Sequence, residues 1–243
     1  MRLFGLIGHP LTHSYSASYF NQKFAQEGNL DCQYQLFPLT SIRELPALLA
    51  KYPNLEGLNV TIPYKQQVFS CLTNHSIPDG LDACNCIRIR DGMCEGFNTD
   101  WVGFEKSFLP LLQPKQKAAL VVGHGGAAQA VFFVLKKNGI PYSVVGRNHK
   151  PGVDLTYNQL TPADLQTHNI VINTTPLGTF PRITELPSLP YEAVGAGHVF
   201  YDLVYNPAET AFMKEGIQRG ARVKNGAEML QIQAEESWKI WNQ

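Results

Sequence analysis

Residues 118–128 read Ala118-Ala119-Leu120-Val121-Val122-Gly123-His124-Gly125-Gly126-Ala127-Ala128, and this stretch decides the fold. An unbroken apolar run of that length suits a strand buried on both faces of a parallel sheet. Glycines follow it directly. Residues 130–138 then carry apolar side chains at helical spacing until Gly139-Ile140-Pro141 stops them, and a second apolar run follows at 142–145. The order is strand, glycine turn, helix, strand. Gly123 and Gly125 permit a tight turn and close approach of the backbone to a pyrophosphate, which a helix N-terminus favours through its free N–H groups and dipole. Ala128 fills the third small position. The stretch therefore predicts a dinucleotide site.

Which dinucleotide follows from the end of the second strand. In NAD-binding versions of this unit an acidic residue about 20 positions on holds the ribose 2′-hydroxyl. Gly146-Arg147-Asn148-His149-Lys150 stands there instead. Arg147 can fork onto a 2′-phosphate, stack beside an adenine and be joined by Lys150, so the turn predicts NADP. The alternative is a solvated basic turn.

Composition narrows the remaining classes. At 243 residues the chain is long enough for two modest domains. Lys plus Arg and Asp plus Glu number 20 each, so no net field points to nucleic acid or to an anionic membrane surface. The apolar run at 3–7 is too short for a signal segment, and no stretch reaches membrane-span length. A cytoplasmic protein is expected. Cys32, Cys71, Cys84, Cys86 and Cys94 are odd in number and scattered, and Cys84-Asn85-Cys86 lacks the paired knuckles of a zinc site. Free thiols and no metal are expected.

Taken in order, residues 2–7 predict a first buried strand that opens into a loop at 8–16, where open α/β sheets place their ligands. Ser16 could cap the helix that follows and ends at Gly28. A strand at 33–37 and a helix at 41–52 continue the alternation. Residues 57–65, Gly57-Leu58-Asn59-Val60-Thr61-Ile62-Pro63-Tyr64-Lys65, run from strand through a proline turn into a helix and gather Asn59, Thr61 and Lys65 at the strand's end. Lys65 there is either an acid–base group or an ordinary surface lysine. Asp91-Gly92 predicts a tight hairpin turn between strands at 83–90 and 93–97. Asn98-Thr99-Asp100 precedes a helix, and Asp100 is its natural N-cap unless chemistry claims it. Beyond Arg147, a strand at 170–173 ends in Thr174-Thr175, small hydroxylated residues suited to lie against a cofactor. A strand at 199–203, a helix at 209–219 and an amphipathic helix at 227–241 complete the chain.

Together these clusters resemble the shikimate dehydrogenase family across nearly the whole chain. Gly8-x-Pro10-x-x-His13-Ser14-x-Ser16 is similar to its substrate loop and 59–65 to its catalytic signature. Asn85, Asn98-Thr99-Asp100, the glycine turn, Tyr205-Asn206-Pro207 and Gly226-x-x-Met229-Leu230-x-x-Gln233 match in order. The resemblance implies an α/β protein of two α/β domains. The first is an N-terminal substrate domain with a mainly parallel sheet, 1–101, completed by the C-terminal helix at 226–243. The second is a Rossmann-like NADP domain at 102–225, and the site would lie between them. It also implies reduction of 3-dehydroshikimate to shikimate on the route to chorismate and the aromatic amino acids. Lys65 and Asp100 would be the catalytic pair. Ser14, Ser16 and Tyr205 would hold the substrate carboxylate, and Asn59, Thr61, Asn85 and Gln233 would read the ring hydroxyls. Cofactor contacts are expected from Gly123, Gly125, Gly126, Ala127, Arg147, Asn148, Lys150, Thr174, Thr175, Leu203 and Gly226.

Ala17, Cys86, Phe97, Trp101 and Gly146 depart from the usual pattern, and the chain is short after Lys150. A quinate/shikimate enzyme that also accepts NAD, and a non-catalytic sensor of shikimate-like ligands, are the other readings. Partners are small molecules, and the protein is expected to be a monomer or homodimer.

Overall fold

The computed structural model describes residues 1–11, 15–114 and 116–243, so the predicted substrate residue Ser14 lies outside the described residues. The chain divides into two compact units, one of residues 1–102 with 233–243 and one of residues 103–232.

The first unit carries strands β1 (Arg2–Gly8), β2 (Cys32–Pro38), β3 (Leu55–Val60), β4 (Asn74–His75), β5 (Cys86–Arg90) and β6 (Met93–Phe97). They form one sheet in the order β2-β1-β3-β5-β6-β4. β1 pairs in parallel with β2 and β3, and β5 alone runs against its neighbours β3 and β6. Asp91 and Gly92 make the β5–β6 turn with φ of 49° and 75°, the two positive values that a two-residue turn matched to strand twist requires. Helix α1 (Tyr15–Glu27) has Ser16 inside its first turn rather than at the cap. The helix expected at 41–52 splits into a 3₁₀ turn (Ile42–Glu44) capped by Ser41 and helix α2 (Leu45–Lys51). Pro46, near the start of α2, marks that second beginning.

The second unit has β7 (Ala119–Val122), β8 (Tyr142–Gly146), β9 (Leu155–Thr156), β10 (Ile170–Asn173), β11 (Val199–Asp202) and β12 (Arg222–Lys224). All pair in parallel in the order β12-β11-β10-β7-β8-β9. This is the doubly wound order of dinucleotide-binding folds, and its reversal between β7 and β10 opens a crevice at their C-terminal ends. β7, β10 and β11 are buried at every position, as their apolar runs predict. Helices α4 (Gly126–Lys137), α5 (Pro162–Thr167) and α6 (Ala211–Gln218) complete the alternation, while α3 (Asp100–Phe108) leads into this unit.

Helix α7 (Ala227–Trp241) returns its C-terminal half to the first unit. There Ala234 and Trp241 pack with Phe4, Leu6, Phe20, Phe24, Tyr34 and Cys86. Trp241 stacks on Phe4 at 5.0 Å and donates its indole N–H to the Ile87 carbonyl at 3.0 Å. Gly57 gives the indole its space, since a Cβ there would fall onto the Trp241 ring. Trp241→Ala is expected to destabilise the first unit by about 3–5 kcal/mol, the cost of emptying a fully packed aromatic site. Urea unfolding followed by far-UV circular dichroism would measure it.

Candidate active site

In the first unit the turn after β3 presents Lys65, and its neighbours hold it from both sides. Tyr64 is buried and donates its hydroxyl to the Leu39 carbonyl at 2.6 Å, and the Lys65 carbonyl accepts from the Cys84 N–H at 2.8 Å. Lys65 Nζ meets Asp100 Oδ2 at 2.6 Å, with the two side chains 20% and 16% exposed. Asp100 is not the N-cap of α3. The Asn98 carboxamide accepts from the Trp101 N–H at 3.3 Å, which leaves the aspartate free for Lys65.

Asn85 fixes the other carboxylate oxygen. Its Nδ2 donates to Asp100 Oδ1 at 2.9 Å and to Thr99 Oγ1 at 3.0 Å, while its Oδ1 accepts from the Thr99 N–H at 2.6 Å. A weaker 3.4 Å contact reaches Gln233 Oε1 on α7. Asn59, expected among the hydroxyl readers, has its amide committed within the protein. Its Oδ1 accepts from the Tyr34 hydroxyl at 2.8 Å, and its Nδ2 donates to Ser237 Oγ at 3.0 Å and the Asn85 carbonyl at 3.3 Å. Burial raises the Tyr34 hydroxyl well above its ordinary value, while the Ser16 side chain beside it pulls it down. A continuous polar chain thus runs from Lys65 to Tyr34. Thr61 sits half-buried at the end of β3, its N–H on the Ile7 carbonyl at 3.0 Å. Burial pushes the neighbouring Cys84 thiol up to about 12, so it is an inert wall rather than a nucleophile.

In the second unit a cavity of about 450 Å³ opens at the crevice between β7 and β10. Of the expected cofactor residues, Gly123, Gly125, Arg147, Asn148, Lys150, Thr174 and Thr175 line it. Gly126, Ala127, Leu203 and Gly226 do not belong to that lining. Gly123 has φ of +106°, and a Cβ there would lie 2.6 Å from Thr174 Oγ1, so only glycine makes this turn. A Cβ at Gly125 or Gly126 would meet open space, which leaves the N-terminus of α4 accessible to a ligand. Lys150 Nζ donates to the His124 carbonyl at 3.3 Å and ties the basic turn to the glycine turn. No carboxylate is among the described residues lining this cavity or the adjoining one beside Arg147. Main-chain N–H groups, Arg147 and Lys150 without a competing acid fit a phosphorylated dinucleotide.

Sequence reasoning missed Tyr157 and Arg182, which share this lining. Burial raises the Tyr157 hydroxyl while the nearby Arg147 charge pulls it down. Neither residue belongs to a motif, and both lie in the loop-rich stretch where sequence patterning gives no signal. Tyr205 follows β11, 40% exposed, in this second unit.

A family model described as the shikimate dehydrogenase substrate binding domain matches residues 6–87. A shikimate dehydrogenase (NADP(+)) of Methanococcus maripaludis is 33% identical over 263 residues, spanning 99% of this chain and 91% of its own. The chain belongs to the shikimate dehydrogenase family. Among solved structures of that family, a chorismate mutase/shikimate 5-dehydrogenase fusion protein from Clostridium acetobutylicum superposes with a TM-score of 0.86 at 34% identity, covering 100% of this chain and 91% of the other. The shikimate 5-dehydrogenase of Thermus thermophilus, solved with NADP(H) and shikimate, gives 0.85 at 28% identity, covering 99% and 93%. The shikimate dehydrogenase fold thus accounts for both sheets of this chain.

Asp202, at the end of β11, is fully buried, and burial pushes its carboxyl up to about 6 against the pull of Thr210, Val204 and Asn173. The folded protein therefore holds this proton more tightly than the unfolded chain does. Its contribution to stability is complete below about pH 4 and is lost as pH rises to about 6, an effect of about 3 kcal/mol. Asp202→Asn removes the titration. The stability of the variant relative to wild type is expected to improve steadily from pH 4 to pH 7 in urea melts.

Proposed function

We propose that this protein is an NADP-dependent shikimate dehydrogenase, interconverting 3-dehydroshikimate and shikimate on the route to chorismate and the aromatic amino acids. The observation that carries the reading is the Lys65–Asp100 pair, with one carboxylate oxygen on the ammonium and the other held by Asn85. Bound NADPH supplies the hydride. Reduction of a ketone builds negative charge on its oxygen, and the Lys65 ammonium stabilises that charge and gives up a proton from Nζ. Asp100 holds the ammonium in one direction. In oxidation Nζ takes the hydroxyl proton instead.

Thr61 and Gln233 read the ring hydroxyls, and Asn85, braced by Asn59 through its carbonyl, holds Asp100 against Lys65. Ser14, Ser16 and Tyr205 take the substrate carboxylate. Gly123, Gly125 and the N-terminus of α4 hold the pyrophosphate, Thr174 and Thr175 line its path, and Arg147 with Lys150 holds the 2′-phosphate. Both reactants are small diffusible molecules, which suits a cytoplasmic monomer or homodimer.

Reduced-cofactor formation at alkaline pH, with shikimate and quinate each paired with NADP and NAD, tests the whole reading. Turnover confined to shikimate with NADP is expected. Equal use of NAD, or turnover of quinate, would make this a dual-specificity enzyme, and binding of shikimate without turnover in any pairing would make it a sensor. Lys65→Ala is expected to lower kcat by about 10²–10⁴-fold with NADP binding intact, and a variant keeping more than about a tenth of wild-type kcat would remove lysine from the chemical step. Arg147→Gln is expected to raise KM for NADP about 10- to 100-fold, the range for one charge-assisted contact, and to leave KM for NAD nearly unchanged.

A further inference from the structure

Asp202 is a buried carboxylate that the chemistry above does not use. It ends β11 directly beside Asn173, the last residue of β10, and the two are register partners. Three donors converge on its two oxygens. Asn173 Nδ2 reaches Oδ1 at 2.9 Å, the Val204 N–H reaches the same oxygen at 3.0 Å, and the Thr210 hydroxyl reaches Oδ2 at 2.6 Å.

An ionised carboxylate only accepts, so Asn173 must turn its NH₂ toward Asp202 and its carbonyl away. That carbonyl then accepts both the N–H of Thr175, at 3.0 Å, and its hydroxyl, at 2.6 Å. Thr175 Oγ1 in turn accepts from the Leu177 N–H at 3.3 Å. Thr175 and Leu177 line the dinucleotide cavity. On the other side, the bonds to Val204 and Thr210 hold the segment that follows β11, and Thr210 caps α6 by accepting from the Met213 N–H.

We propose that ionised Asp202 is a positioning residue for the cofactor. By setting the amide orientation of Asn173, it shapes the Thr174–Thr175 turn against which the dinucleotide lies. The proposal rests on the NADP reading of that cavity. Asparagine has one acceptor oxygen for the two sides of this cluster. If it faces Asn173 and Val204, the Thr210 hydroxyl loses its acceptor; if it faces Thr210, Asn173 is opposed by a donor and its own amide is free to flip. The ionised form therefore orders the turn while burial makes it costly to the fold, a combination expected of a group kept for function rather than stability.

The test is Asp202→Asn at pH 8, with NADPH affinity read by fluorescence titration without substrate, and steady-state kinetics beside it. We expect Kd and KM for NADPH to rise about three- to tenfold, the scale of one disordered hydrogen bond, with kcat within about twofold and KM for shikimate unchanged. Urea melts should show Asp202→Asn at least as stable as wild type at that pH, which separates lost positioning from lost folding. Thr175→Val removes the far end of the relay and should weaken NADPH binding similarly. Combining the two substitutions should add little, because both act through Asn173. Additive effects, or an Asp202→Asn protein that binds NADPH as wild type does, would overturn the proposal and leave the proposed function standing. A wild-type protein that binds no dinucleotide would overturn both.

Discussion

The carboxamide of Asn85 is the constraint on which the chemistry of the first unit depends. A primary amide has one accepting end and one donating end, and here the accepting end is taken by the Thr99 backbone N–H. The donating end is thereby left facing Asp100 and the hydroxyl of Thr99. With Asn85 only 3% exposed, water cannot substitute for a lost partner, so the orientation is strongly enforced. Asp100 receives the consequence. One of its oxygens is held by Asn85, and the other faces Lys65 from a fixed direction.

The two units reach their precision by different routes. In the second, strand ends and a glycine turn place main-chain groups, and the reversal of strand order opens the crevice before any side chain is chosen. In the first, the site is a relay of side chains from β2, β3, α3 and α7, each satisfied by the next. Backbone geometry tolerates variation in side chains; a relay does not. Substitutions in the glycine turn should therefore cost the fold only where a Cβ has no room, as at Gly123, whereas Tyr34, Asn59, Asn85 and Ser237 constrain one another.

That difference also explains what could be read from the chain. The dinucleotide unit was legible because its signals are local: an apolar run, glycines and a helix within 30 residues, then a basic turn. Lys65 and Asp100 were legible as candidates, and Asp100 remained ambiguous because an aspartate before a helix is so often its cap. Only the structure shows Asn98 in that role. The Tyr34–Asn59 and Asn59–Ser237 contacts join residues 25 and 178 positions apart, and no periodicity reports such pairs. β4, β9 and β12 went unpredicted because strands of two or three residues carry no alternation. The single helix expected at 41–52 is two elements because Pro46 suits the start of a helix better than its interior.

The return of α7 to the first unit sets an order on biosynthesis. Ala234 and Trp241 fill the centre of a core whose other members, from Phe4 to Cys86, emerge from the ribosome far earlier. Until residues 237–241 are made, that core lacks its largest side chain, and Asn59 and Thr99 lack Ser237. Domains usually fold in the order in which they are translated. Here the intervening dinucleotide unit is complete in sequence before the first unit can close, so the half of the protein synthesised first finishes folding last, and its exposed aromatic surface is what a chaperone would meet on the nascent chain.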